Sequence, residues 1–103
     1  MKFAAAGSWF SGDWYQNVEM GAKYGFAGVE QLEWLGLDLE RAGRVLKEYG
    51  VTSTALIIQS ESPEVAKYLP WTHGMVWEDS RQPFIEALKE TIRAAKVMGV
   101  PNI

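Results

Sequence analysis

The chain has 103 residues, the length of one small domain, and hydrophobic residues make up 48% of it. This composition, with 22% charged residues, suffices to bury a core and excludes a disordered or low-complexity protein. The net charge of −3 disfavours nucleic acid and anionic membranes as partners. The lack of cysteine excludes disulfides, thiolate zinc sites and a cysteine nucleophile.

Apolar runs of strand length alternate along the chain with amphipathic helices. The predicted order is strand 2–6, helix 14–24, strand 26–30, helix 39–49, strand 51–58, helix 81–98 and the start of a strand at 100–103. Parallel strands need helical crossovers, so this alternation predicts an α/β fold with a parallel sheet covered by helices. The three helices end in the same way, with a lysine in the last turn before Gly25, Gly50 or Gly99.

Side-chain patterns predict where each helix begins and which face it buries. Asp13 and Gln16 form a capping box for the first helix, Asp38 caps the second, and Ser80 is expected to cap the third. The third helix has an apolar stripe, which predicts its buried face: Phe84, Leu88, Ile92 and Ala95. Between the second and third helices, residues 59–79 are interpreted as a long loop with a short helix at 64–68.

Residues 1–103 are interpreted as a single partial domain. A parallel unit that stops on a bare fourth strand leaves an open sheet edge. A closed eight-unit barrel takes about 250 residues, and this chain has the length and the elements of roughly its first two-fifths. We therefore expect the chain to be the N-terminal (β/α)3 part of a TIM (β/α)8 barrel, plus the start of strand 4.

The sequence lacks the motifs of several common enzyme classes. Its glycines do not form a G-x-G-x-x-G or Walker pattern, so nucleotide binding is unsupported. His73 is the only histidine, which leaves no histidine pair for zinc, and no Ser-His-Asp arrangement can be proposed from the serines. The apolar runs at 3–7 and 55–58 are far shorter than the roughly 20 residues of a membrane helix, and the first is too short for a signal peptide. We therefore predict a cytoplasmic protein with no membrane partner and interpret Met1 as the start of the mature chain.

Five segments carry a resemblance to a known family: Gly-Ser-Trp-Phe at 7–10, Tyr-Gly-Phe-Ala-Gly-Val-Glu at 24–30, Gly-Met-Val-Trp-Glu-Asp at 74–79, Phe-Ile-Glu-Ala-Leu at 84–88, and the run at 94–103 that ends in Gly-Val-Pro-Asn-Ile. They resemble the N-terminal part of the xylose isomerase-like TIM barrel family, closest to its hydroxypyruvate isomerase branch. The resemblance implies a divalent metal, Mn²⁺ or Mg²⁺, held by residues of later strands, and proton transfer between glutamates and a carbon next to a carbonyl, through an enediolate. It assigns no metal ligand and no catalytic residue to this chain.

Position in such a barrel selects the candidate substrate-binding residues, because the site lies at the carboxyl ends of the strands. These candidates are Trp9 after the first strand, Glu30 after the second and Gln59 after the third, with His73 in the long loop. Three of the four also have a structural interpretation. Glu30 could pair with a neighbouring Lys or Arg, Trp9 could pack under a loop, and His73 could be solvated.

Three functions remain open from the sequence. The first is the N-terminal part of a metal-dependent isomerase or epimerase acting on a small sugar or hydroxy-carbonyl substrate. The second is a barrel of the apurinic endonuclease type, which the acidic charge disfavours. The third is a non-catalytic β/α module whose open sheet edges pair with the remainder of a barrel or with a second copy.

Overall fold

The computed structural model describes residues 1–69 and 75–103. Its elements are β1 (Ala4–Ala6), a 3-10 turn (Gly7–Trp9), α1 (Trp14–Lys23), β2 (Gly28–Glu30), α2 (Leu39–Tyr49), β3 (Thr52–Ser53), α3 (Pro63–Ala66) and α4 (Glu78–Met98). The strands of the described part form one parallel sheet in the order β1-β2-β3, in which each strand pairs with the next along the chain. This confirms the predicted α/β class, with helical crossovers between parallel strands.

The predicted helix starts at Asp13 and Asp38 are confirmed. The Asp13 carboxylate accepts from the backbone N–H of Gln16 at 2.8 Å, and the Gln16 side chain accepts from Asp13 N at 2.8 Å, which completes the capping box. The Asp38 carboxylate accepts from Arg41 N at 3.0 Å. At the other end of α2, Gly50 adopts the left-handed conformation with φ of 63°, which glycine reaches without strain.

The prediction that Ser80 caps the last helix is wrong. α4 begins at Glu78, its N-cap is Trp77 without a side-chain capping bond, and Ser80 lies inside the first turn at 4% exposure. Glu78 and Asp79 place negative charge at the positive end of the helix dipole, which favours the earlier start. The short helix predicted at 64–68 is found one residue earlier, starting on Pro63.

The predicted buried face of α4 is wrong except for Ala95. Phe84 and Leu88 are half-buried and Ile92 is exposed. The buried positions are instead Ser80, Ala87, Thr91, Ala94, Ala95 and Met98. Near the C-terminal end of α4, where Ala94 and Ala95 face inward, α2 approaches closely: a Cβ added at Gly43 would lie 2.8 Å from the Val97 carbonyl oxygen. The helix therefore buries mainly small residues together with Met98, while Phe84 and Leu88 are only half-buried.

The strands are shorter than predicted, although the pairing extends beyond them. Thr54 N donates to Val29 O at 3.2 Å, one residue past β3. Residues 100–103 are not a strand, but Leu56 N donates to Asn102 O at 3.1 Å, so the chain after α4 returns beside β3. This is the position that the start of a fourth strand would take.

Two buried clusters hold the helices on the sheet. The first packs α4 against α2 and the neighbouring loops, and the second packs α1 and α2 against β2. Ala5, Val29 and Ser53 are in register and buried on one sheet face, where Val29 contacts the backbone of α1 at Gly21. In residues 1–69 and 75–103, no helix combines the length and hydropathy that a bilayer crossing requires.

Candidate functional site

The carboxyl end of β2 places Glu30 on the sheet face opposite the buried one. Val29 faces the helices, and successive strand residues alternate between faces, so Glu30 projects from the other side. Ala6 pairs with Glu30 in the β1–β2 register, and the β2–β3 register places Thr54 next to Glu30 on the other side. The row Ala6–Glu30–Thr54 therefore crosses the sheet at its carboxyl end.

Thr54 is a candidate that the sequence reasoning missed. It lies in the middle of the run 51–58, where nothing in the apolar pattern distinguishes its face, and the register is needed to place it beside Glu30. Its hydroxyl can donate and accept hydrogen bonds. Its backbone carbonyl accepts from the Asn102 side chain at 2.9 Å, which fixes this end of β3.

The Glu30 carboxylate is exposed. The ion pair found in the described part of the chain joins Lys67 to Glu64, and no Lys or Arg of that part pairs with Glu30. The structure therefore gives Glu30 no structural ion pair within residues 1–69 and 75–103. An exposed carboxylate of this kind can accept hydrogen bonds.

The residue after Glu30 is anchored in a polar network. Gln31 accepts from the Asn17 side chain at 2.9 Å and donates to the Trp14 carbonyl at 2.8 Å. Asn17 in turn accepts from Gly12 N at 3.2 Å. The network joins the loop after β1, the first turns of α1 and the end of β2. A polar Asn17 beside apolar Val18 on the inner face of α1 is the sequence signal that could have indicated it.

Trp9 lies apart from Glu30. Its side chain is 67% exposed, and its ring packs edge-on against Phe26 with centroids 6.2 Å apart. Phe26 precedes β2, whereas Glu30 ends it, so this contact places the Trp9 ring toward the opposite end of the strand. With Phe10 and Tyr24, whose rings are parallel at 6.3 Å, Trp9 lines an open groove of about 640 Å³ along α1.

Gln59, in the segment after β3, is hydrogen-bonded to the loop after β2. Its side-chain oxygen accepts from the backbone N–H groups of Trp34 at 3.0 Å and Leu35 at 3.3 Å. Its own backbone N–H donates to the Thr91 hydroxyl at 3.1 Å. The side-chain oxygen is thereby occupied by the protein, and the group that Gln59 could offer to a ligand is its side-chain NH₂.

The remaining candidate, His73, lies outside the described residues. The described ones contain no group of three or more His, Asp or Glu side chains arranged to hold a metal ion.

Comparisons with known proteins define the class of fold. No protein-family profile matches the sequence, and no curated protein matches it at a significant level. Among solved structures, the chain is similar to a xylose isomerase-like TIM barrel/4-hydroxyphenylpyruvate dioxygenase fusion protein, with a TM-score of 0.71 and 17% identity. The match covers 100% of this chain and 16% of that protein. The chain thus has the fold of part of a TIM barrel.

Proposed function

We propose that this chain forms the first β/α units of a metal-dependent sugar or hydroxy-carbonyl isomerase or epimerase. The observation that carries the proposal is an exposed carboxylate, Glu30, at the carboxyl end of the central strand of a parallel sheet. In TIM barrels, this end of the strands holds the active site. The likeness to a protein described as xylose isomerase-like favours isomerase chemistry.

In this proposal Glu30 binds and orients substrate. A carboxylate on the open sheet face accepts hydrogen bonds from the hydroxyl groups of a polyol or hydroxy-carbonyl compound, and such charge-assisted bonds are among the stronger ones. Thr54, beside it in the row, adds a neutral hydroxyl that can donate or accept. Two polar groups about one strand spacing apart suit a substrate with hydroxyls on neighbouring carbons.

The proton transfer itself needs groups that the described residues do not include. A positioned base removes the proton from the carbon next to the carbonyl, and an electrophile stabilises the oxyanion that develops on the carbonyl oxygen; Mn²⁺ or Mg²⁺ would supply that electrophile in the complete barrel. The described residues contain no group of three or more possible metal ligands, so in this proposal the metal ligands and the proton-transferring glutamates come from other strands. Hydroxypyruvate is the proposed first substrate to assay, and the cytoplasm is the proposed location.

The proposal also includes the remainder of a barrel, or a second copy, as a partner. Within the described residues β1 pairs with β2 alone, so its outer edge has free backbone donors and acceptors. Another strand could satisfy these groups, as barrel closure does.

The test uses the longest natural polypeptide that carries these residues. It would be incubated in D₂O with hydroxypyruvate or a ketose, with Mn²⁺ or Mg²⁺, and followed by proton NMR. Proton transfer through an enediolate predicts isomerised product with deuterium at the carbon next to the carbonyl. Failure of every such substrate to isomerise or exchange, with the metal bound and the protein folded, would refute the proposed function.

A further inference from the structure

Two hydrogen-bonded amide side chains, the buried Asn17 and the half-buried Gln31, lie beneath the loop that follows β1. Asn17, at 7% exposure, donates to the Gln31 side-chain oxygen at 2.9 Å, and Gln31 donates to the Trp14 carbonyl at 2.8 Å. The Asn17 oxygen accepts from Gly12 N at 3.2 Å. Both side-chain oxygens and both amide groups thus have a partner, which is the condition under which buried polar groups are tolerated.

The turn after β1 is shaped around Gln31. Gly7 is buried directly after β1, and a Cβ added there would collide with the Gln31 side chain, including a position 2.9 Å from its Oε1. Any larger residue at position 7 would force the Gln31 side chain to shift. The absence of a side chain at Gly7 therefore leaves the space that Gln31 occupies when it is paired with Asn17.

Gln31 immediately follows Glu30 in the chain, so the hydrogen bonds that hold Gln31 also affect the direction of the Glu30 side chain. Adjacent residues of an extended chain point to opposite faces. The Gln31 side chain is held on the α1 side of the sheet, so the backbone directs Glu30 to the other face. Within residues 1–69 and 75–103 the Glu30 carboxylate itself has no hydrogen bond or ion pair that would fix it. Its direction is set through the backbone.

We propose that Gln31, held by Asn17 and the Trp14 carbonyl, is a positioning residue that fixes the direction of Glu30 toward substrate. This inference rests on the proposed function, in which Glu30 binds the substrate. Gln31 itself does not touch the substrate, because it lies on the helix side of the sheet. A displacement of about 1 Å of a carboxylate that binds substrate lowers the rate of the catalysed reaction, although no chemical group is removed.

The test is a double-mutant cycle in the longest natural polypeptide that carries these residues. Gln31→Met keeps the length of the side chain and removes both hydrogen bonds. We expect kcat to fall about ten- to hundred-fold in the folded protein, with KM little changed. In the Glu30→Gln background the same substitution should have almost no further effect, since the group that it positions is already altered. Gln82→Met, at an exposed glutamine of α4, is the matched control and should leave kcat unchanged.

A second measurement does not depend on turnover. The side-chain carboxyl resonance of Glu30 and the backbone amide of Gly12 should both shift in Gln31→Met and stay in place in Gln82→Met. Additive effects of Gln31→Met and Glu30→Gln on kcat, or an unshifted Glu30 resonance, would overturn the inference and leave Gln31 with a structural role only. If the unaltered polypeptide turns over no carbonyl substrate, the proposed function fails, and the Glu30 resonance alone then decides whether Gln31 positions that carboxylate.

Discussion

The hydroxyl oxygen of Thr91 lies 3.1 Å from the backbone nitrogen of Gln59 and accepts its hydrogen bond. Thr91 is on α4 at 0% exposure, and Gln59 is in the segment that follows β3. The Thr91 proton has two acceptors in range, Ala87 O at 2.9 Å and Gln59 O at 3.2 Å. Since Gln59 also accepts from Trp34 N, this one hydroxyl ties α4 to the loops after both β2 and β3.

Thr91→Val should therefore destabilise the protein. Valine keeps the shape of threonine but leaves the Gln59 N–H without its partner, which costs about 1 to 3 kcal/mol. Urea denaturation followed by circular dichroism measures this as a lower midpoint with an unchanged slope. Thr52→Val, at an exposed strand position, is the control and should have little effect. Equal midpoints for the two variants would mean that the Thr91 hydrogen bond adds nothing.

Two leucines should respond differently to truncation. Leu56 is 2% exposed in the cluster between α2 and α4, so Leu56→Ala should cost about 2 to 5 kcal/mol. Leu88 is only half-buried on α4, so Leu88→Ala removes less contact and should cost about 1 kcal/mol. The same denaturation experiment compares them. A larger loss at Leu88 would show that the apolar stripe of α4 is covered in solution.

Local signals in the sequence were sufficient for α1 and α2. Each helix boundary signal acts within a few residues: the capping box of Asp13 and Gln16, the cap at Asp38, and the terminal glycines. They predicted the start of α1 and both ends of α2 correctly, and the end of α1 to within one residue. The fold class followed from the alternation of strands and helices. The parallel order of the strands agrees with that prediction.

Features that depend on tertiary approach could not be found in this way. The buried face of α4 depends on such contacts: α2 comes close at Gly43 to the end of α4 that holds Ala95 and Met98, and Thr91 is hydrogen-bonded to Gln59. Hydrophobic periodicity alone favours the larger side chains. The position of Glu30 at the end of its strand was predictable. The network around Gln31 and the neighbouring Thr54 depend on contacts distant in sequence, which no local pattern encodes.

The exposed ion pair of Glu64 and Lys67 should lower the pKa that a titration measures for Glu64. The hydrogen bond from Lys67, 2.8 Å long, and its positive charge lower the pKa of the Glu64 carboxyl below its ordinary value of 4.5. Because the carboxyl pKa is lower in the folded protein than in the unfolded chain, the pair stabilises the fold at pH values above 4.5. This contribution is lost as the pH falls through the lowered pKa of the folded protein. Lys67→Met should return the Glu64 pKa toward 4.5, as followed by carboxyl NMR. High salt should act in the same direction, and no change in either case would show that the pair does not form in solution.

The 103-residue chain by itself should not isomerise hydroxypyruvate or a ketose, even with Mn²⁺ or Mg²⁺. Its described residues provide no cluster of metal ligands, and carbon-acid chemistry of this kind needs an electrophile at the oxyanion. The purified chain would be checked for helical circular dichroism and then assayed for product by NMR. Metal-dependent turnover by the folded chain would contradict the prediction.

Glu30→Gln should weaken catalysis while leaving the fold intact. The substitution keeps the shape of the side chain and removes the charge, so a charge-assisted hydrogen bond to a substrate hydroxyl becomes a neutral one. The loss for one such bond is about 1.5 to 3 kcal/mol, or roughly ten- to hundred-fold in kcat/KM. Because Glu30 is exposed and forms no ion pair in the described part of the chain, the thermal midpoint should not change.

The measurement is made in the longest natural polypeptide that carries these residues, with metal affinity determined alongside the kinetics. Glu33→Gln is the matched control, since Glu33 is also an exposed carboxylate, three residues further along and beyond the end of β2. Metal affinity should be the same in both variants, because a substrate-binding residue does not ligate the metal. If Glu30→Gln loses its metal, Glu30 is a ligand. If it unfolds while its folded fraction keeps normal specific activity, Glu30 is structural. If both variants lose activity equally, the effect comes from the charge of the whole edge and not from the position of Glu30 in its row with Ala6 and Thr54.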